Sequence, residues 1–231
     1  MPKNRIITAI AFWLCMTALC ANAQQKAGTF VEIGAGMSVS SLRFLHSIKP
    51  GFNAQVGIGY TPFIGETLLI PIDTVGNARS IHNVLDEHIR AYLFVSYTSK
   101  GETKVKIDNI EARGEINYFE VKPQGRYYIP LTPFYVGGGI FIGYAASRSL
   151  SHNGKPVKSI DAKNYYHTAD AGFLAAGGGE IGVGNVVITG EISLEKGILN
   201  VSKTAKKKHT FALMLTAGVS LTILDKSFRH Y

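Results

Sequence analysis

Cysteine is almost missing from this chain: the two residues present, Cys15 and Cys20, both fall in the first twenty positions. From Gln24 onward there is none, which excludes a disulfide framework and any cysteine-based metal site. Charge is also scarce, at 17% of residues, where an average soluble domain has roughly 25%. Beyond the first 23 residues no stretch comes near the roughly 18 consecutive apolar side chains of a spanning helix, so helical membrane spans are excluded. Proline is sparse at eight residues, while glycine is abundant at 25.

What the start of the chain does have is the pattern of a secretory signal peptide. A basic head, "MPKNR", precedes the apolar run "IITAIAFWLCMTALC", and "ANA" at 21–23 supplies a small-x-small cleavage site. The run is shorter than the roughly 20 residues that a spanning helix needs. A lipoprotein reading of Cys20 is disfavoured because Leu19 stands where a small residue belongs. Residues 1–23 are therefore expected to leave, and 24–231 to form one exported domain whose net charge falls from +8 to +6.

That domain alternates. In "HTFALMLTAGVSLTIL" (209–224) Phe211, Leu213, Leu215, Ala217, Val219, Leu221 and Ile223 share one face, and Thr, Ala, Met, Gly and Ser fill the other. Period two is the signature of a β-strand, whose successive side chains point to opposite sides of the pleat. The same split occurs in "TFVEIGAGMSVSS" (29–41) and "FNAQVGIGYT" (52–61), and further strands read at 89–99, 116–129, 133–147, 168–184 and 186–202. Eight strands result, an even number as single-chain bacterial barrels have. A ten-strand version stays open, with Glu66 to Val75 and Thr103 to Ile110 as the extra pair.

The two faces differ in a way that settles which one meets water. A soluble barrel would show water an exterior rich in Lys and Glu, but the non-apolar face here is Gly, Ser, Thr and Ala with isolated charges. It suits a narrow lumen, so the apolar face is expected to meet lipid, with closure of the sheet pairing every backbone N–H and C=O. The fold expected is an all-β, antiparallel transmembrane β-barrel. Joins at 130–132 and 184–185 are short, as periplasmic turns are, while 42–51, 100–113 and 148–165 read as longer polar outer loops. Tyr127, Tyr128, Phe134 and Tyr135 flank the first short turn and read as an interfacial girdle. Residues 65–87 form a long insertion on the periplasmic side.

By strand parity Glu32, Arg90, Glu120, Lys122, Arg126, Glu180, Glu191 and Glu195 share the lumen face, and both signs occur. Buried charges need partners, so these eight are expected to form a structural ion-pair and hydrogen-bond network. Phe30, Tyr92, Phe94, Tyr135 and Phe141 fall on the same face and would fill a lumen that eight strands leave only wide enough for side chains.

The order "GFNAQVGIGY", "INYFEV…GRYY", "PFYVGGG", "DAGFLAAGGGEIGV" and "GEISLEKGILNVS", followed by a last glycine-containing amphipathic strand, resembles the PorT-like outer-membrane β-barrel proteins of Gram-negative bacteria. The resemblance implies an eight-stranded barrel with the architecture of OmpA and OmpX, and an association with an envelope or secretion assembly. An envelope protein is the partner this suggests, beside the outer-membrane lipid and lipopolysaccharide that an apolar wall and basic loops would meet.

Other signals carry less. Gly177 to Gly182 satisfy G-x-G-x-x-G, but a dinucleotide site needs that loop to open a helix, and Val183 and Val186 to Ile188 continue β structure. No cofactor is expected. Lys203, Lys206, Lys207 and Lys208 fall before the last strand and read as a solvated outer loop able to attract lipopolysaccharide phosphates. Nucleic acid is not an expected partner, because no basic stripe is interleaved with stacking aromatics. Ser151, His152, His167 and Asp170 are the residues from which a serine–histidine–acid arrangement would have to be built, though their spacing does not single them out. The reading is a non-enzymatic structural or interaction barrel that works through its outer loops, 148–165 above all, and the periplasmic insertion at 65–87, with a small-solute pore and a lipid-modifying enzyme as the alternatives.

Overall fold

A computed structural model describes residues 28–42, 47–61, 88–107, 110–130, 132–152, 154–157, 161–183, 186–204 and 207–225. The described elements are β1 (Gly28–Ser41), β2 (Lys49–Tyr60), β3 (Ile89–Ile107), β4 (Ile110–Tyr128), β5 (Phe134–His152), the two-residue β6 (Lys155–Pro156), a single helical turn α1 (Ala162–Tyr165), β7 (Ala169–Val183), β8 (Val186–Gly197) and β9 (Phe211–Asp225). Each long strand pairs antiparallel with its neighbour in the chain, β5 with β7 across the connection that bears α1, and β1 closes on β9. The result is a closed antiparallel barrel of eight strands, with β6 as a short addition to the tip of β5. Closure leaves no barrel edge to pair with another chain.

Register keeps the two faces apart around the whole wall. Val39 sits opposite Leu213 and Met37 opposite Leu215 at the closing seam, so apolar outward residues lie side by side, and Glu32 faces Ser220 on the inner side. Every barrel strand contributes an exposed apolar residue to the exterior: Ile33, Ile58, Leu93, Phe119, Ile142, Phe173, Ile192 and Leu215 are each 53% to 61% exposed. The interior is filled unevenly. Strands β3 to β5 supply large side chains, among them Tyr92, Phe94, Tyr118, Arg126, Tyr135 and Phe141, all buried. Strand β2 answers with glycine. Gly57 pairs with Phe94 and Gly59 with Tyr92, and a Cβ on either would lie 2.3 Å or 2.4 Å from the facing ring. Gly57→Val must therefore displace the Phe94 ring and is expected to cost about 1 to 3 kcal/mol by overpacking. Gly190→Ala, where an added Cβ meets no atom within 4 Å, should be nearly silent in the same unfolding assay.

Three expectations change. Residues 49–51, 100–107, 110–113 and 148–152 are not loops: β2 begins at Lys49, β3 runs on to Ile107, β4 begins at Ile110 and β5 reaches His152. Thr103 to Ile107 are thus the tip of β3, so this half of the ten-strand alternative is no separate strand, while Glu66 to Val75 and the insertion at 65–87 lie outside the described residues. Second, β8 ends at Gly197 rather than at 202. Third, only half of the expected girdle faces outward. Tyr127 and Phe134 are exposed, at 40% and 56%, whereas Tyr128 and Tyr135 alternate inward and are buried.

The long-loop end has a core of its own. Leu42, Ile116, Tyr118, Ala145, Leu150, Ala162, Tyr166 and Val201 form a buried cluster, which brings α1 and the connection from β8 to β9 into the barrel mouth. Backbone bonds hold these loops together: Tyr166 bridges Ser202, His167 N–H donates to the Val201 carbonyl at 2.9 Å, and Lys203 N–H donates to Tyr165 at 2.9 Å. Asp161 caps α1 by accepting from Lys163 N–H at 2.9 Å.

Candidate functional site: the charged lumen

The eight charged residues picked out by parity are all buried inside the barrel. Nearer the short turns, Arg126 is the hub. Its guanidinium engages Glu32 bidentately at 2.7 and 3.1 Å and Glu191 at 2.8 Å, the planar fork geometry that makes arginine–carboxylate pairs strong. Tyr135 donates to Glu191 at 2.9 Å and Gln124 donates at 3.3 Å. Beside this hub Arg90 pairs with Glu180 at 3.2 Å, and Tyr128 donates to the same carboxylate. The cations also lie on aromatic faces, Arg126 at 4.2 Å from the Tyr92 ring centroid and Arg90 at 4.0 Å from that of Tyr128, contacts that gain strength when desolvated.

Toward the long-loop end Glu120, Lys122 and Glu195 meet a residue the parity set lacked, Lys100. Its ammonium lies 2.6 Å from Glu120, 2.7 Å from Glu195 and 3.6 Å from Asp170, and Lys122 bridges the same two glutamates at 3.0 and 2.6 Å. Thr98 donates to Glu120 at 2.9 Å, and Thr210 to Asp170 at 2.6 Å. At the mouth Lys208 is ion-paired with Glu102, and the Tyr166 hydroxyl reaches that carboxylate at 3.4 Å. Burial, with the Glu102 charge beside it, pushes the Tyr166 phenol well up, so it stays neutral and serves as a donor.

Lys208 was expected in a solvated loop with Lys203, Lys206 and Lys207. It is instead 3% exposed, because Val201 N–H bonds its carbonyl and folds the chain back over the mouth. Lys206 lies outside the described residues. Lys100 and Glu102 carried a signal, since they continue the inward parity of Arg90, Tyr92, Phe94, Ser96 and Thr98 past the point where the strand was expected to stop. Lys208 carried none, sitting in a run of like residues.

Ser151, His152, His167 and Asp170 are not assembled. Asp170 lies opposite Gly143 on β5, so Ser151 stands eight positions farther along that strand, roughly 25 Å away in the strand direction. The Asp170 carboxylate is engaged with Thr210 and Lys100, and the His152 ring contacts the Glu111 carbonyl at 2.5 Å. The Gly177 to Gly182 run lies within β7 and opens no helix. Among the described residues no group of three or more His, Cys, Asp or Glu side chains could hold a metal ion.

No family model matches the chain, and no curated protein matches it. Solved structures to which it is similar include Neisserial surface protein A, with 14% identity, 86% of this chain and 99% of that one covered, and a TM-score of 0.48. The attachment invasion locus protein Ail of Yersinia pestis has 13% identity over 85% of this chain and 100% of its own, with a TM-score of 0.43. The outer membrane protein OprG of Pseudomonas aeruginosa has 11% identity over 86% and 98%, with a TM-score of 0.45.

Proposed function

We propose that this chain is a non-enzymatic β-barrel of a Gram-negative outer membrane, exported by a signal peptide at 1–23, PorT-like in kind, and acting through binding at its rims to an envelope or secretion assembly. One observation carries the reading: the wall is apolar outside and charged inside, and the charges inside are engaged with one another, four cations shared among six carboxylates. Among the described residues the outward face between the two ends carries no charged side chain, while the inward face carries Glu32, Arg90, Lys100, Glu120, Lys122, Arg126, Asp170, Glu180, Glu191 and Glu195. Water at the exterior would leave that apolar wall without a solvent to match it, whereas hydrocarbon matches it and the closed sheet leaves it no unpaired backbone. The lumen groups position one another and the aromatic rings, so their role is to fill the barrel and hold its wall in register.

What projects from such a barrel is then the part left to recognise a partner: the β3–β4 hairpin tip, the loop bearing α1 and the connection from β8 to β9. Purified protein is expected to enter lipid vesicles with heat-modifiable gel migration and to show no steady conductance in planar bilayers. A stable single-channel current that responds to Arg90→Gln or Glu120→Gln would assign it as a pore instead. Lipid hydrolysis that persists across independent preparations would assign an enzyme.

A further inference from the structure

The charges at the long-loop end are divided unevenly around the rim. On the β3–β4 side both signs are present: Lys104 and Arg113 stand with Glu111 and Glu115, and Glu115 is paired with Lys49 at 3.1 Å. On the β7–β9 side Lys163, Lys196, Lys203 and Lys207 are exposed. From residue 161 to the start of β9 every carboxylate except Asp161 is buried inside the barrel, namely Asp170, Glu180, Glu191 and Glu195, and Asp161 is occupied as the α1 cap. Asp161 stays exposed, so this sector carries four exposed lysines against one surface carboxylate and is a net cationic arc.

The arc also touches the apolar wall. Lys196 points outward one pleat step above Leu194, with Phe173 of β7 and Phe211 of β9 as its cross-strand partners. Ile198 and Leu199, next along the chain, are 55% and 41% exposed. A lysine at this position lays its methylene stem on apolar surface and raises its ammonium to the headgroup level. Lys203 is held in place rather than free to sweep, because its ammonium donates to the Lys163 carbonyl at 2.8 Å.

We propose that this sector is a docking site for a phosphorylated lipid of the outer leaflet, with lipid phosphates on Lys196, Lys203 and Lys207 and acyl chains on the wall formed by Ile192, Leu194 and Leu213. The proposal rests on the membrane reading above. The alternation of apolar wall and cationic arc on one side favours a lipid over a free anion, since a free anion has no use for the exposed Phe173, Ile198 and Leu199. The one-sidedness means that the lipid binds one sector rather than coating the rim.

The test is native mass spectrometry of the detergent-solubilised full barrel with bis-phosphorylated lipid A and with its dephosphorylated form. Wild-type protein is expected to retain the phosphorylated lipid and to release the other. The variant Lys196→Glu/Lys203→Glu/Lys207→Glu should lose about tenfold or more in retention, while Lys104→Glu/Arg113→Glu on the opposite side should lose less than about twofold. Heat-modifiable migration in vesicles, measured for each variant, shows that the barrel still folds in lipid. Failure of the wild-type protein to enter vesicles would overturn the membrane reading itself. Equal retention of both lipid forms, equal loss in both variants, or displacement of the lipid by inorganic phosphate alone would overturn the docking site and leave that reading standing.

Discussion

Arg126→Met is expected to destabilise the barrel by about 3 to 5 kcal/mol, the range found when one partner of a buried ion pair is removed. The side chain is almost fully buried and touches Glu32 at two oxygens and Glu191 at a third. Its group holds two arginines and three glutamates, so the substitution leaves Arg90, paired with Glu180, as the one cation of the group against three carboxylates. Repulsion and lost hydrogen bonds then add to the desolvation that folding has already imposed. Methionine fills much of the space, so the loss reports charge rather than a cavity. Adding Glu32→Gln and Glu191→Gln to the same chain should recover most of the stability, because neutral amides no longer need the guanidinium. Urea unfolding in lipid vesicles reads all three proteins, and a triple variant no more stable than the single one would show that the pairing energy lies elsewhere.

Leu215→Arg tests the outer face with comparable force. Leu215 lies near the middle of β9, 61% exposed, with Met37 and Ile192 as its cross-strand neighbours. An exposed leucine on a water-facing wall would accept arginine at little cost. On a wall that meets hydrocarbon near the midplane the cost is about 2 to 4 kcal/mol. Thr216→Ser, one residue on and inside the lumen, keeps the hydroxyl that accepts from Asn53 at 2.9 Å and should be nearly silent. Equal tolerance of the two changes would reverse the assignment of faces.

Parity made the lumen legible. Glu32, Arg126 and Glu191 come from strands far apart in the sequence, yet each sits at an inward position that period two identifies without knowing the register. Which of them pair was not legible, because partners across a barrel depend on strand stagger and tilt, which alternation does not encode. Alternation is also hard to read where the outward face turns from apolar to polar. The segment 100–113, "KGETKVKIDNIEAR", reads as loop because its outward side is polar above the apolar wall, yet its described residues continue β3 and β4. Lys100 was lost with it, although it holds three carboxylates in place. Tyr128 differs for another reason: its place beside the short turn suggests a girdle, but its inward parity wins, and Tyr135, which the same turn also suggests as girdle, lies inward as its parity predicts.

The orientation of the wall is most directly measured by tryptophan fluorescence, because the strands contain no tryptophan and the chain's single one is Trp13. In a Trp13→Phe background, tryptophan placed at position 215 and, separately, at 214 would be read in vesicles whose acyl chains carry bromine. Met214 is 2% exposed on the lumen side, one residue from Leu215. The account predicts strong quenching at 215 and at the outward positions 213 and 219, with little at 214. Quenching at 214 that equals or exceeds that at 215 would contradict it, placing the apolar wall away from lipid.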